Sequence, residues 1–444
     1  MQTSLRTHTC GELRDAHIGQ RVRLCGWVQH LRDLGKFLIL EEQGELFQRT
    51  RHLGRETVIA IDGSVAERES PNPGMPTGRV ELLPDALEVL ASSELPPFLI
   101  ENETDGNEDL RLEHRYLDLR RPVLAHNLAL RHRVLQATRA HLDAQQFVEV
   151  ETPAMIKTTP EGARDFIVPS RLHPGHFYAL AQSPQILKQL LMVGGLDRYY
   201  QITKCYRDED FRGDRQPEFS QIDCEMSFVT QEDVLSTFEG MVQHVFREVM
   251  DVELPAFERL SYADAMRRYG TDKPDRRFGC ELVELNDTVS GSGFKVFEEP
   301  IAAGGRVIGL NAKGLAGYSR KQIDALTKLA KEHGMKGLVW IKFADDGSLQ
   351  PMHHPFVMPH PEDLPMLDNQ PERCRTWCYD LVINGNEIMS GSIRIHDQSV
   401  QARIFELLGM DEAEQQTKFG FLLDALKYGA PPHGGCAFGL DRWV

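Results

Sequence analysis

The sequence predicts an α+β protein in which a small N-terminal β-barrel precedes a larger domain of helices and strand pairs. Three patterns support this fold class. Short strands separated by turn residues fill the first 100 residues. A helical pattern then extends to about Gln145. Further along the chain, strand-like segments are joined in pairs by polar loops.

Alternating aliphatic residues mark four strands of the predicted barrel, at 21–28, 37–40, 57–61 and 79–83. Residues 1–36 contain six basic and three acidic side chains, although the whole chain has a net charge of −16. A basic face of this kind suits contact with nucleic acid. A solvated basic edge explains the charge equally well.

The larger domain begins after a linker at 92–110. A heptad of leucines, Leu128, Leu135 and Leu142, predicts a helix, and 147–153 alternates like a strand that ends at its proline. An inserted module is then indicated by strands at 294–297, 306–310 and 337–343 around a helix at 319–331.

The composition excludes several classes of protein. Apolar residues make up 41% and charged residues 26% of the chain, and no apolar run reaches the ~18 residues of a membrane helix. The polar start of the chain does not read as a secretory signal. Eight cysteines without a CxxC pair argue against structural zinc or a disulfide framework, so we expect the reducing cytoplasm. Neither a P-loop nor a GxGxxG fingerprint occurs.

The densest polar cluster, at 206–219, lies between two strand-like segments. Its arginines suit phosphate, its acidic groups suit Mg²⁺ or a catalytic base, and its phenylalanines suit a purine ring. On charge alone, a solvated hairpin loop is the simpler interpretation.

Two later clusters are also candidates. Asp380 and Glu387 flank a tight Asn-Gly turn and could share a Mg²⁺ ion, and Arg394 beyond them could bind a carboxylate. The glycine-rich run 434–442 ends near Arg442 and allows a ligand to approach the backbone. A plain hairpin and a glycine-rich turn before a surface helix are the alternatives.

In this order the clusters resemble the three signature motifs of class II aminoacyl-tRNA synthetases. Motif 1 corresponds to 150–153, motif 2 to 205–219 and motif 3 to 439–442. Within subclass IIb the chain is most similar to the bacterial-type aspartyl-tRNA synthetases. The phrases that carry this resemblance lie at 115–121, 159–166, 182–185, 207–219 and 427–433.

The resemblance implies a class II catalytic domain around an antiparallel sheet, with an N-terminal OB-fold and an inserted α/β GAD-type module. The implied division is 1–101 for the anticodon-binding OB-fold, 102–125 for a hinge, 126–278 and 351–444 for the catalytic domain, and 279–350 for the module. Compared with the family, the chain is shorter near 41–55, at the step from 350 to 351 and after motif 3. The module is therefore expected to be incomplete and the last part truncated.

The resemblance also implies an activity, that of an aspartate–tRNA ligase. ATP and L-aspartate would form aspartyl-adenylate, and the aspartyl group would move to the 3′ end of tRNA(Asp). Arg207, Arg442 and Glu387 are the implied catalytic residues, and Asp380 with Glu387 would hold Mg²⁺. The implied ATP contacts are Arg207, Asp208, Glu209, Gln216, Phe219, Glu387, Gly439, Leu440, Asp441 and Arg442.

Selection of aspartate over asparagine is implied for Lys188 and Arg394, because an amide bound between two cations leaves both poorly paired. Arg207 would hold the other carboxylate. The remaining implied aspartate contacts are Glu161, Ser183, Gln185 and Asp223 at the α-amino end, and His353 and His354 above the substrate.

For the RNA, the resemblance implies anticodon contacts from Arg32, Leu34 and Phe37, with Phe37 stacking on a base. Barrel core is the alternative for Phe37. A leucine at position 34 resembles family members that charge only aspartate tRNA. A homodimer with motif 1 at its interface is also implied, and no membrane partner.

Two alternatives stay open. A lysyl- or asparaginyl-tRNA synthetase shares the barrel and motifs, but the inserted module and the pair Lys188 and Arg394 argue against it. A catalytically inactive RNA-binding relative is disfavoured because Arg207, Glu387 and Arg442 are all present.

Overall fold

The computed structural model describes residues 2–30, 50, 53–159, 161–210, 215–279, 281–291, 295–302, 304–310 and 356–444. Three predicted elements lie outside this part: the strand at 37–40, the helix at 319–331 and the strand at 337–343. The chain forms two compact units, Met1–Ala129 and Leu130–Val444. The boundary falls within one long helix.

An antiparallel three-stranded sheet forms the centre of the first unit. Its strands are β1 (Arg21–Trp27), β2 (Val58–Glu67) and β3 (Val80–Ala91), paired in the order β1-β2-β3. Alternation along each strand turns one set of aliphatic side chains inward. Val22, Val65 and Val80 of the strands form a small core with Leu13, which precedes β1. The predicted strands at 21–28, 57–61 and 79–83 are confirmed.

Helices follow this sheet along the chain. They are α1 (Glu108–Glu113), α2 (Arg115–Asp118) and α3 (Pro122–Ala144). Asn107 caps α1, since its Oδ1 accepts a 2.9 Å hydrogen bond from the Leu110 amide. Proline at the first position of α3 is favourable because that residue needs no amide hydrogen bond. The end of α3 at Ala144 agrees with the predicted end near Gln145.

A six-stranded sheet dominates the second unit. The strands of this unit are β4 (Val148–Glu149), β5 (Met155–Ile156), β6 (Ile167–Pro169), β7 (Phe177–Leu180), β8 (Arg198–Tyr206), β9 (Glu218–Ser227), β10 (Leu282–Glu284), β11 (Ile308–Leu310), β12 (Cys378–Ile383), β13 (Asn386–Ile393) and β14 (His433–Gly439). The large sheet has the order β12-β13-β14-β9-β8-β4, and all its pairs are antiparallel except β4 with β8. The other sheets are β5-β7-β6 and β10-β11.

Helices of the second unit contribute to three apolar clusters. They are α4 (Gln185–Val193), α5 (Gln231–Met250), α6 (Tyr262–Tyr269), α7 (Asn286–Val289), α8 (Lys295–Ala302), α9 (Gln398–Leu407), α10 (Glu412–Leu426) and α11 (Leu440–Trp443). Apolar side chains of α3 and α5 form the main core with the large sheet, as Leu142, Phe238 and Phe438 illustrate. Helices α4, α9 and α10 share a second core. Polar groups of the sheet therefore lie on the face away from α5.

Two predicted strands differ from the structure. The strand predicted at 147–153 is only two residues long in β4, because the Thr152 amide donates to the Gln201 side chain instead of a strand backbone. The strand predicted at 294–297 is wrong, since residues 295–297 lie at the start of α8. Phe297 and Ile301 are four residues apart, a spacing that places them on one helical face.

None of the helices among the described residues combines the length and the apolar character that crossing a membrane requires.

Candidate active site

A polar cleft of roughly 500 Å³ opens on the face of the large sheet opposite α5. Most residues singled out from the sequence line it, although they come from four separate stretches of the chain. Those present are Ser183, Gln185, Lys188, Arg207, Glu209, Gln216, Phe219, Asp223, Glu387, Arg394, Gly439, Asp441 and Arg442. The cleft also includes Arg215, Gln221, Cys378, Ser390 and Ser392.

Strand alternation explains why so many polar groups meet there. In β9, Ile222, Cys224 and Met226 belong to the core. Asp223 and Glu225 alternate with them and therefore face the opposite side of the sheet. The predicted hairpin of motif 2 is present as β8 and β9, and the predicted Asn-Gly hairpin is present as β12 and β13.

Four buried charged side chains lie at the base of the cleft, and three of them, Lys188, Asp223 and Arg394, line it. Lys188 Nζ lies 2.6 Å from Asp223 Oδ1 and 3.1 Å from Glu225 Oε2. Arg394 Nε lies 3.1 Å from Glu225 Oε1. Two cations thus meet two carboxylates, and burial makes their mutual attraction strong. We call Lys188, Asp223, Glu225 and Arg394 the charge quartet.

The mutual attraction within the charge quartet outweighs the cost of burial for three of its members, Lys188, Glu225 and Arg394, whereas burial raises the pKa of Asp223. Burial alone disfavours charge, but Asp223 and Glu225 raise the pKa of Lys188 above its ordinary value. Burial likewise opposes ionisation of Glu225, yet Arg394 and Lys188 lower its pKa. Both cations and Glu225 are therefore charged at neutral pH.

Glu225 is the important member that the sequence interpretation missed. It is fully buried and pairs with both cations at once, on the side away from the cleft opening. The signal was present, because Glu225 lies two residues after Asp223 in a strand and so must share its face. His433 was also missed. Its ring is fully buried, and its pKa is lowered by burial.

Additional contacts orient Arg394. Its Nη1 donates to Ser392 Oγ at 2.6 Å, and its Nη2 donates to the carbonyl oxygen of Gly435 at 3.3 Å. A Cβ atom at Gly435 would overlap the carbonyl oxygen of Cys224 and the carboxylate of Glu225. Glycine at 435 is therefore required for β14 to approach β9 closely beside the quartet.

A second polar group lies beside the quartet. Ser183 Oγ donates to Glu161 Oε2 at 2.7 Å, and Thr159 Oγ1 donates to Oε1 of the same carboxylate at 3.2 Å. Burial raises the pKa of Glu161 to about 7. Asp223 Oδ2 and Gln185 Nε2 are buried and lack hydrogen-bond partners among the described residues. Asp223 Oδ2 and the Glu161 carboxylate are acceptors suited to an ammonium group of a ligand, whereas Gln185 Nε2 is a donor suited to an oxygen atom of a ligand.

The motif 2 hairpin supplies a cation and a ring at the opposite end of the cleft. The guanidinium carbon of Arg207 lies 5.0 Å from the centre of the Phe219 ring. The backbone amide of Arg207 donates to the carbonyl oxygen of Pro217 at 2.8 Å, which holds the hairpin together. A half-buried Arg over an aromatic ring suits a phosphate next to a flat base.

Motif 3 residues have different environments. Arg442 Nη1 donates to the carbonyl oxygen of Glu387 at 3.1 Å. Asp441 pairs with Arg131 at 2.6 Å and accepts a 2.9 Å hydrogen bond from the Ser220 amide, so it joins α11 to α3 and β9. Leu440 is fully buried in the main core, and only its backbone could contact a nucleotide.

The two carboxylates proposed for a metal lie on the β12–β13 hairpin. Burial raises the pKa of Asp380, and the nearby Glu387 raises it further. Glu387 Oε2 pairs with Lys273 Nζ at 3.3 Å. Carboxylates that repel one another are stabilised by a divalent cation, so this donor pair fits Mg²⁺. No group of three metal-binding side chains occurs in the described part of the chain, but Mg²⁺ commonly uses only one or two carboxylates.

Some candidates lie elsewhere. Asp208 lines a neighbouring cavity together with Arg164, and its backbone pairs with that residue. Glu161 and Asp380 adjoin the main cleft without lining it. Five candidates lie outside the described residues: Arg32, Leu34, Phe37, His353 and His354.

Sequence comparisons relate the chain to known proteins. The family model described as tRNA synthetases class II (D, K and N) matches residues 107–444. The aspartate–tRNA ligase of Porphyromonas gingivalis is 47% identical, over 99% of this chain and 91% of that protein. That of Ruminiclostridium cellulolyticum is 44% identical, over 99% and 91%. The first alignment spans 540 positions and this chain has 444 residues, so that relative has segments that this chain lacks.

Comparison with solved structures supports the fold. An asparaginyl-tRNA synthetase from Pyrococcus horikoshii, complexed with asparaginyl-adenylate, superposes with a TM-score of 0.67 at 21% identity, covering 98% of this chain and 93% of that one. A protein described as a putative aspartyl-tRNA synthetase from Leishmania major gives the same TM-score and identity, covering 100% and 91%.

Proposed function

The chain belongs to the class II tRNA synthetases, and on this basis we propose that it is an aspartate–tRNA ligase. It activates L-aspartate with ATP and transfers the aspartyl group to the 3′ end of tRNA(Asp). The family prediction is confirmed, since relatives of that name are 44–47% identical over almost the entire chain. The α+β class II fold is confirmed as well.

The charge quartet is the observation that supports aspartate as the amino acid. Lys188 and Arg394 face the cleft while Glu225 holds both from behind. A side-chain carboxylate bound there completes the pairing of two fixed cations. Asparagine would turn an amide NH₂ toward at least one of them, leaving it poorly paired in a buried site. Glu161, Ser183, Gln185 and Asp223 would receive the α-ammonium group.

In the first step a carboxylate oxygen of aspartate attacks the α-phosphorus, and the bond to pyrophosphate breaks. No strong base is needed, so the protein contributes alignment and charge. Arg207 would hold both the attacking carboxylate and the α-phosphate, with Phe219 stacked on adenine. Arg442 would bind the outer phosphates. Mg²⁺ held by Asp380 and Glu387 would neutralise phosphate charge.

In the second step the terminal ribose hydroxyl attacks the aspartyl carbonyl carbon, and AMP leaves.

We propose that residues 1–101 form an OB-fold that binds the anticodon through Arg32, Leu34 and Phe37, and that 102–125 form a hinge. The three-stranded sheet of β1, β2 and β3 and the basic charge of 1–36 support this. Residues 279–350 would be the GAD-type module, inserted between catalytic parts 126–278 and 351–444.

We also propose a homodimer. The sheet of β5, β7 and β6 follows motif 1 and leaves three large apolar side chains more than half exposed. They are Met155 at 57%, Ile167 at 60% and Phe177 at 56%. An apolar surface of this kind favours contact with a second copy, and light scattering should give twice the chain mass.

The described cysteines are all free thiols, in keeping with a cytoplasmic location.

Isotope exchange between pyrophosphate and ATP tests the function directly. Exchange should depend on aspartate and be far slower with asparagine or lysine. Exchange supported by asparagine or lysine instead would assign the chain to the corresponding synthetase. Absence of exchange with all three amino acids would favour the inactive RNA-binding relative.

A further inference from the structure

A lysine that the activity does not use lies at the candidate metal carboxylates. Lys273 comes from the loop after α6, and its Nζ lies 3.3 Å from Glu387 Oε2 and 3.0 Å from Asp272 Oδ2. Its side chain is 35% exposed, and that of Glu387 is 30% exposed. Both groups are thus partly shielded from water, which strengthens their attraction relative to a fully exposed pair.

The loop that carries Lys273 is held in place. Helix α6 ends at Gly270, whose φ of 70° is a left-handed conformation typical of a helix end. The Lys273 amide donates to Thr271 Oγ1 at 3.2 Å. The same loop packs on the Asn-Gly turn, since a Cβ atom at Gly385 would lie 3.3 Å from Asp275 Cβ and 3.7 Å from the Lys273 carbonyl oxygen. Lys273 therefore reaches Glu387 from a fixed backbone.

The carboxylate of Glu387 has a cationic partner even without a metal. Its carboxylate pairs with Lys273, and its carbonyl oxygen accepts from Arg442. Asp380 lies close enough to Glu387 for the two carboxylates to repel one another, and Lys273 and Asp272 also act on Asp380 electrostatically. The Lys273 ammonium group at Glu387 Oε2 repels a divalent cation that approaches the same carboxylate, and it competes with the cation for this oxygen atom.

We propose that Lys273 is a built-in counter-ion for Glu387 that a divalent cation must displace. This inference rests on the proposed metal site of Asp380 and Glu387. Lys273 lowers the affinity of the nucleotide-free protein for the metal, and so couples metal binding to the arrival of ATP. Once displaced, its ammonium group is free to pair with the phosphates, which bring the additional negative charge.

Binding of Mn²⁺ to the nucleotide-free chain tests the proposal, with free Mn²⁺ measured by its paramagnetic resonance signal. Lys273→Gln should bind Mn²⁺ about three- to fivefold more tightly, the change expected when one partly exposed ion pair is removed. The difference should shrink at high salt. Lys427→Gln is the matched control, because Lys427 pairs with Asp424 at 2.6 Å outside the cleft, and it should bind like the parent.

Glu387→Gln separates the two claims. If it loses Mn²⁺ affinity and Lys273→Gln binds more tightly, both the metal site and the counter-ion role are supported. If Glu387→Gln loses affinity but Lys273→Gln binds no more tightly than the parent, the counter-ion role is wrong and the metal site stands. If Glu387→Gln binds like the parent, the metal site is wrong, and the counter-ion role with it. Calorimetric titration of aspartate into each variant checks that the cleft is intact.

Discussion

Glu225 Oε1 lies 3.1 Å from Arg394 Nε, in a position that no solvent reaches. The same carboxylate contacts Lys188 through its other oxygen. Glu225 therefore fixes the spacing of the two cations that face the cleft. Selection of the amino acid then depends on a residue that lies behind the cleft and need not touch the substrate.

Replacing Glu225 with Gln tests this positioning role. The variant keeps the shape of the side chain but leaves two buried cations with one carboxylate. The KM for aspartate should therefore rise about 10- to 100-fold, and the free energy of unfolding should fall by about 3 kcal/mol. The KM for ATP should change less than about threefold. Pyrophosphate exchange and urea unfolding provide the measurements. Glu232→Gln, which removes an exposed pair with Arg259, should affect neither quantity.

Phe219 should contribute to ATP binding without affecting aspartate. Phe219→Ala removes the ring beside Arg207, and loss of stacking on one base corresponds to about 1–3 kcal/mol. We expect the KM for ATP to rise about tenfold and the KM for aspartate to stay within about twofold. Phe228→Ala, at a ring that is 75% exposed just beyond β9, is the control. Equal increases in both KM values would contradict the assignment.

The pH dependence should identify Glu161. Burial raises its pKa to about 7, so the carboxyl is partly protonated at neutral pH in the free protein. An ammonium group binds the ionised form, and the KM for aspartate should therefore fall as pH rises from 6 to 8. Glu161→Gln should flatten this dependence. The pKa of Glu161 is higher in the folded chain than its ordinary value of 4.5, so the protonated carboxyl stabilises the fold. This contribution to the free energy of unfolding is fully present below pH 4.5 and is lost as pH rises through about 7.

Gly435 should tolerate no side chain. An added Cβ would overlap Cys224 and Glu225, so Gly435→Ala should lower the free energy of unfolding by about 2–4 kcal/mol and weaken aspartate binding. Gly11→Ala, where a Cβ meets nothing within 4 Å, should leave stability unchanged. A neutral Gly435→Ala would mean that β14 and β9 are less closely packed than the structure indicates.

Sequence patterns predicted much of the catalytic scaffold because each pattern is local. The motif 2 strands and the Asn-Gly hairpin depend on alternation and turn chemistry within about 20 residues. Glu225 was missed for the opposite reason. Alternation places it on the same face as Asp223, but its importance arises only when α4 and the residue after β13 bring Lys188 and Arg394 to it.

Lys273 was missed for a similar reason. It lies 114 positions before Glu387 in the chain, and a loop lysine gives no local signal of what it will contact. The strand predicted at 294–297 failed differently, because aliphatic and aromatic residues in a short run fit a helix or a strand equally well. Leu440 is a third difference between prediction and structure. The motif predicted a contact with ATP, but the Leu440 side chain is part of the main core.

Calorimetric titration of L-aspartate and L-asparagine into the parent chain and into Arg394→Gln tests the central claim most directly. The parent should bind aspartate at least about 100-fold more tightly than asparagine, as expected when a buried charged partner is mismatched. Arg394→Gln should remove most of that preference by weakening aspartate alone. A preference that survives the substitution, or equal loss for both amino acids, would contradict the account.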